Sequence, residues 1–526
     1  MNIINNSCIT YIKNIYVISD IQGDLDLLII LLEICAKVIK RKTSVNWRDL
    51  ANDNIPESED FSKDNFNNCY EAGLKNGYDC LFGFEWCGND SWVVINGDII
   101  ENCNTTTTIK EPNDVYKVQN EIKHVELKIM IFLKVLSDLA KIKNGNIVKI
   151  IGNHDHYSIK GDSLYISGFS ISNKYKSIER KYLFYTYNKL FNNQLFSDSD
   201  KKYIMIKLNN FIFLHGSISK SIIEIIRKEY NNNKLEEIID IINNYYTDYI
   251  DNHRGNSMLL YGGIYEIFKS RLLSPWDVNI DKEWCKNLDS IIELLCFNNP
   301  DDINKLSLVV GHSPQYHFYQ DDDKIKLINS SHSKIVRDSN VHYISGEIKS
   351  TSAYKELCME TDDFIQEYKK HKIECVSYIG KIKFDVKFKN VPIVFGITCS
   401  CPFEINNSLA KIYRVDNGAA KVSDKHIMNF ATRNILHTIR RPSLLDKKSI
   451  QNIILYIYRY YVSRLPQVLH IHTNDDSIVS TRIIRATLKY SFNHMYRNNV
   501  FPFREEDKKY KDLIDIIVDM IDNNIK

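Results

Sequence analysis

The stretch Ile15-Tyr16-Val17-Ile18-Ser19-Asp20-Ile21-Gln22-Gly23-Asp24 decides how the rest of the chain is read. Residues 15–19 form a short apolar run that reads as a buried strand, and residues 25–39 then carry apolar side chains at helical spacing. Between strand and helix stand two carboxylates, a carboxamide and a glycine, and the glycine lets the backbone turn sharply or approach a ligand closely. The end of a strand in an α/β sheet is where ligands gather.

The arrangement recurs along the chain. Residues 92–95 read as a second strand and lead into Asn96-Gly97-Asp98-Ile99-Ile100-Glu101. Residues 147–151 form a third and lead into Gly152-Asn153-His154-Asp155. Strands at 203–206 and 211–214 follow, the latter ending in Leu214-His215-Gly216, and a strand at 306–310 ends in Gly311-His312-Ser313-Pro314. Singly, each motif has a plainer reading. An Asp after a strand often caps a helix, Gly-Asn-His-Asp suits a turn, and a lone His is more often a hydrogen-bonded core residue. Five together at strand ends argue for a metal site, because Asp, Asn and His supply the oxygen and nitrogen ligands that suit manganese, iron or zinc.

Strands alternating with helices (118–142, and most of 219–296) imply an α/β layered fold. Residues 410–415 and 466–472 read as late strands with a helix between them at 446–463, and Ile382, Phe384, Val386 and Phe388 alternate as a half-buried strand does. With 526 residues the chain exceeds the size at which one core stops growing. The reading is a single domain over 1–482, interrupted by insertions at about 43–90, 220–300 and 320–395, followed by a helical extension over 483–526.

Composition narrows the function. A formal net charge of +2 gives no basic field for nucleic acid or anionic lipid, so neither nucleic acid nor membrane is expected as a partner. No basic patch leads into a clean apolar run at the N-terminus, and twelve cysteines without regular pairing intervals read as reduced thiols. An intracellular, cytoplasmic protein is expected. Abundant Asn, Ile, Lys and Tyr beside 10 Pro and 19 Gly point to an AT-rich genome, such as that of a large DNA virus or a parasite; a viral protein would act in host cytoplasm or virion. His470 and His472 lie on one face of the last strand, where they suit a metal or, more simply, a packed or exposed face.

The ordered series resembles the calcineurin-like metallophosphoesterases, whose pattern runs Asp-x-His, Gly-Asp-x-x-Asp, Gly-Asn-His-Asp/Glu, His, and Gly-His. Leu214-His215-Gly216 and Val310-Gly311-His312-Ser313-Pro314-Gln315 bring it nearest the phosphoprotein-phosphatase branch, as do Tyr413-Arg414-Val415-Asp416-Asn417-Gly418 and Arg464-Leu465-Pro466-Gln467-Val468-Leu469. The resemblance implies a two-sheet β-sandwich flanked by helices, holding two divalent metal ions (manganese, iron or zinc). It implies Asp20, Gln22 and Asp98 at the first ion, and Asp98, Asn153, His215 and His312 at the second. It further implies a metal-bridging hydroxide as nucleophile, His154 as the general acid, and Glu101 as the acid that orients it. The expected substrate is a phosphorylated protein or a small phosphoester.

The sequence departs from that pattern twice. Gln22 replaces the first histidine, and a carboxamide is a poorer ligand than imidazole for transition metals. Asn102 stands where protein phosphatases carry a phosphate-clamping Arg; Arg271 is either its substitute or an ordinary surface residue. Three functions therefore remain open: a phosphatase acting on phosphoserine or phosphothreonine, a hydrolase of nucleotides such as dinucleoside polyphosphates, and a degenerate phosphatase used as a binding or structural protein.

Overall fold

A computed structural model describes residues 11–41, 83–100, 126, 129–160, 201–230, 234–252, 263–270, 290–291, 293–295, 306–312, 316–321, 324–329, 398–400, 411–415, 466–474 and 477–486. The elements that position the site are β1 (Asn14–Ile18), α1 (Leu25–Ile30), β2 (Ile39–Arg41), β3 (Phe84–Trp86), β4 (Trp92–Asn96), α2 (129–142), β5 (Asn146–Ile150) and α3 (Asn153–Lys160). They continue with β6 (Met205–Leu208), β7 (Phe211–Leu214), α4 (Lys220–Tyr230), α5 (Leu235–Asn252), α6 (Tyr265–Lys269) and β8 (Ser307–Val310). A hairpin β9–β10 (Tyr316–Asp321, Lys324–Asn329) and β11 (Thr398–Ser400), β12 (Lys411–Arg414), β13 (Gln467–Asn474) and β14 (Ser477–Arg485) complete them.

Two five-stranded sheets result, ordered β14-β13-β1-β4-β5 and β11-β12-β8-β7-β6. In the first, β1, β4 and β5 run parallel; in the second, β7, β8 and β12 do. The sheets face each other across a core of Ile15, Val17, Val94, Val148, Ile150, Phe211, Phe213, Val309 and Ile471. Alternate residues of the same strands (Ile18, Val93, Ile95, Ile212, Leu214, Val310) turn outward into a larger cluster with the helices. Strands buried on both faces explain the unbroken apolar runs, since neither face meets water. This is the α/β two-sheet sandwich flanked by helices.

The local chemistry explains the boundaries. Asp24 caps α1, its side chain accepting a hydrogen bond from Leu27 N at 3.0 Å. Beyond Ile30 the helix widens into a π turn (Leu31–Cys35) and stops short of residue 39, where it was expected to end. Ile39 instead opens β2, which pairs antiparallel with β3. Phe84 and Trp86 are buried, so the end of the expected 43–90 insertion is part of the core. The strand expected at 203–206 begins two residues later; Tyr203 makes only a bridge to Ile150. Helices α4 to α6, inside the 220–300 segment, bring Ile222, Ile226, Ile242, Tyr246 and Phe268 into the outer cluster. β14 continues to Arg485, so the first residues of the expected helical extension are strand. The rest of that extension, the helix at 446–463, the alternating run at 382–388 and most of the 320–395 segment lie outside the described residues.

Candidate metal centre

The site lies at the C-terminal ends of β1, β4, β5, β7 and β8, and Asn96 joins the two sheets there. Its Nδ2 donates to Leu214 O at 3.1 Å and Val309 O at 3.4 Å, both in the opposite sheet. The loop after β1 rides on the loop after β4: Asp20 N donates to Gly97 O (3.0 Å), Gln22 N to Asp98 O (2.8 Å) and Gly23 N to Ile99 O (2.9 Å). These bonds demand unusual backbone. Asp20, Gln22, Asp98 and His312 all have positive φ, at 58°, 48°, 52° and 65°. Such conformations cost about 1–3 kcal/mol each and persist only where the surroundings impose them.

Asp98, His215 and His312 are buried, and one ligand atom from each lies within 4.8 Å of the others. His215 Nδ1 is 2.8 Å from Asn96 O and donates to it, which leaves the Nε2 lone pair facing the cluster. Nε2 stands 3.1 Å from Asp98 Oδ2, yet it is buried and has no hydrogen-bond partner of acceptable geometry. The Oδ1 of Asn153 is likewise buried without one. Orphaned buried acceptors are costly, by about 1–3 kcal/mol each. A cation contacted by both atoms removes that cost.

Close packing leaves no slack around these groups. A β-carbon on Gly152 would meet Asp98 N and Oδ1, one on Gly97 would meet the His215 ring, and one on Gly311 would meet Ser19 Oγ and Asp20 Oδ2. Asp20 is held by His312 N, which donates to its Oδ2 at 3.1 Å, and by Ser19 Oγ at 2.6 Å; that hydroxyl also reaches Asn96 O at 2.8 Å. His154 opens the first turn of α3. Its backbone N donates to Asp98 Oδ1 at 3.0 Å, and its Nε2 is 3.7 Å from Asp98 Oδ2 on the partly exposed rim.

The electrostatics favour a positive charge. Burial alone would lower the His215 pKa, but the carboxylates of Asp98 and Asp20 outweigh it and lift it to about 9. Burial would raise the Asp98 carboxyl, yet His215, His154 and His312 hold it well below the usual carboxylate range. A field that draws a proton onto a buried imidazole also draws a divalent cation in its place. Two carboxylates, two imidazoles and a carboxamide oxygen form a mixed nitrogen and oxygen set that suits manganese, iron or zinc.

Asp20, Asp98, Asn153, His154, His215 and His312 are thus brought to one place. Gln22 joins through its backbone, while its side chain is partly exposed. Glu101 and Arg271 lie outside the described residues. Three contributors escaped the sequence reading. Ser19 and Asn96 act through contacts with remote strands, for which sequence carries no signal. Asp155 stood within a quoted motif; its Oδ1 accepts from Ile99 N (2.9 Å) and Ile100 N (3.0 Å), and its Oδ2 from Gly152 N (2.9 Å). It ties the loops after β4 and β5 together. Burial and the nearby Asp98 raise its carboxyl to about 6 against the pull of those backbone N–H groups.

The profile of the calcineurin-like phosphoesterase family matches residues 13–346, a span that holds every one of these residues. The chain belongs to that family. Among solved structures, this calcineurin-like phosphoesterase is similar to a cold-active protein-tyrosine phosphatase of a psychrophilic Shewanella species. The two are 18% identical over 63% of this chain and 76% of that one, with a TM-score of 0.32. It is also similar to a point mutant of a cold-active protein tyrosine phosphatase, 19% identical over 61% and 72% of the two chains, with a TM-score of 0.33. Likeness at that level bears on neither substrate nor mechanism. No curated protein matches the chain.

Proposed function

We propose that this family member is a metal-dependent phosphatase that hydrolyses phosphate monoesters, with phosphoserine or phosphothreonine in proteins as its substrate class. The observation that carries the hydrolase reading is the convergence of Asp98, His215 and His312, beside an Asn153 Oδ1 with nothing to bond. The narrower substrate class rests on the sequence likeness of the strand-end His motifs to the phosphoprotein-phosphatase branch.

Two divalent ions fit the donors. Asp20 and Asp98, with Gln22 if its side chain turns inward, would hold one; Asp98, Asn153, His215 and His312 would hold the other. When bound, such ions lower the pKa of water and neutralise charge on phosphoryl oxygens. The protein groups do the rest. His154, on the rim with its Nε2 3.7 Å from Asp98 Oδ2, donates a proton to the departing ester oxygen. Asp155 and Ser19 position the ligand loops without touching substrate.

The test is hydrolysis by purified protein, freed of metal and reloaded with manganese, iron or zinc, across phosphoserine and phosphothreonine peptides, phosphotyrosine peptides and dinucleoside polyphosphates. Metal-dependent turnover of the first two supports the proposal. Turnover confined to the polyphosphates overturns the substrate class, and no turnover with any metal overturns the enzyme reading.

A further inference from the structure

A second group of ligand atoms stands away from the strand-end centre, at the opposite end of β1. Asn14 opens that strand, whereas Asp20 follows its close. Antiparallel pairing sets Asn14 opposite His472 and Tyr16 opposite His470. The two histidines are two residues apart on β13, so the pleat sends both rings to one face. His470 Nε2 lies 3.0 Å from Asn14 Oδ1, and His472 Nδ1 lies 2.9 Å from the same oxygen. His470 is held in place by stacking on Tyr16, with centroids 4.5 Å apart and planes inclined by 10°. It is 6% exposed, while Asn14, Tyr16 and His472 are only partly buried, which leaves the group approachable from solvent.

We infer that His470, His472 and Asn14 form a separate binding site for a single borderline transition-metal ion, zinc or copper(II). Two imidazole nitrogens and a carboxamide oxygen are three ligands that suit such an ion, with water completing the set. Bonds of about 2.1 Å put adjacent ligand atoms about 3 Å apart in a tetragonal copper(II) site and about 3.4 Å apart in a tetrahedral zinc site, so the nitrogen-to-oxygen separations of 2.9–3.0 Å match the first and open slightly for the second. The ring centroids are 6.1 Å apart, so the rings close inward slightly on binding. The plain alternative is that both rings donate a proton to one amide oxygen and serve only to fix the register of β13 on β1. The two readings differ in what zinc does.

Crystals of the full chain soaked in zinc decide between them by anomalous scattering at the zinc edge. A peak in contact with His470 Nε2 and His472 Nδ1 is expected, in addition to any at Asp98. Its absence at saturating zinc overturns the inference. In solution, His472→Gln should lower the zinc bound per chain by one equivalent, or weaken one binding step at least tenfold, without altering manganese-dependent hydrolysis. Asn14→Asp, which supplies a charged ligand, should tighten that same step. Zinc binding identical in parent, His472→Gln and Asn14→Asp would show that the group is a hydrogen-bonded register lock. Failure of the phosphatase reading leaves these outcomes untouched, because none of the three residues touches the strand-end centre.

Discussion

Each end of the sandwich is stitched by an asparagine, and the two asparagines are put to different use. At the far end Asn209 turns the β6–β7 hairpin and reaches across to the other sheet. Its Nδ2 donates to Ile12 O at 2.8 Å and Thr473 Oγ1 at 3.1 Å, and its Oδ1 accepts from Ile12 N at 3.3 Å. Thr473 Oγ1 donates in turn to Ile12 O at 2.7 Å. The Asn209 amide, the Ile12 backbone and the Thr473 hydroxyl are all satisfied within the protein. At the near end Asn96 makes the same kind of crossing, but around it sit four residues at positive φ, and His215 Nε2 and Asn153 Oδ1 have no hydrogen bond. The Asn209 contacts spend their polar groups on stability. The surroundings of Asn96 hold strain and unmet bonding capacity in readiness for a cation.

That contrast predicts opposite consequences for changes at the two ends. The largest expected effect is on chemistry. His154→Asn should slow hydrolysis of a phosphoserine peptide or an alkyl phosphate by about 10²–10⁴-fold, the span of general acid catalysis. Hydrolysis of a nitrophenyl phosphate, whose phenolate leaves without help, should fall far less, and metal content should hold. Equal losses on both substrates would reduce His154 to a brace for the turn. Gly152→Ala comes next, because its β-carbon meets the Asp98 backbone N and carboxylate. Overpacking of this kind costs about 1–3 kcal/mol. Chemical denaturation should show it, together with weakened cation binding, since Asp98 must move.

At the other end, Asn209→Gly keeps the left-handed turn but leaves Ile12 N without its partner and Ile12 O with Thr473 Oγ1 alone. Denaturation should show a loss of about 1–2 kcal/mol, the net worth of one or two hydrogen bonds. Cation affinity and hydrolysis per folded molecule should equal the parent's. A loss of cation affinity in that variant would break the proposed division of labour. The smallest effect is expected from Gln22→His. Imidazole is the better ligand, so the first ion should bind more tightly at limiting manganese, by titration calorimetry. No change would place that side chain outside the coordination sphere.

The strand-end cluster was legible in sequence because it is written locally. An apolar run, a glycine and an ionisable residue are adjacent in the chain, as in Asn96-Gly97-Asp98 and Leu214-His215-Gly216, and strands buried on both faces leave unbroken apolar runs. The bracing was not legible, because it is written across the fold. Asp155 bonds residues 99 and 100, Asn96 bonds residues 214 and 309, and Asn209 bonds residues 12 and 473. Nothing in the composition around those residues announces such partners. The β2–β3 pair was missed for a related reason: three-residue strands with 42 residues between them carry no period, and the approach to β2 continues the helical spacing of α1. His470 and His472 were legible as a pair on one face, but only the register with β1 brings Asn14 between them.

The central claim is that Asp98 is the ligand on which the strand-end centre depends, and manganese titration calorimetry on the parent and Asp98→Asn tests it most directly. The substitution keeps size and backbone, including an oxygen for the His154 N–H, and removes only the charge. The parent should bind manganese, and the variant should lose at least tenfold in affinity, with hydrolysis per folded molecule falling alongside. Manganese affinity and hydrolysis in Asp98→Asn equal to the parent's would contradict the account.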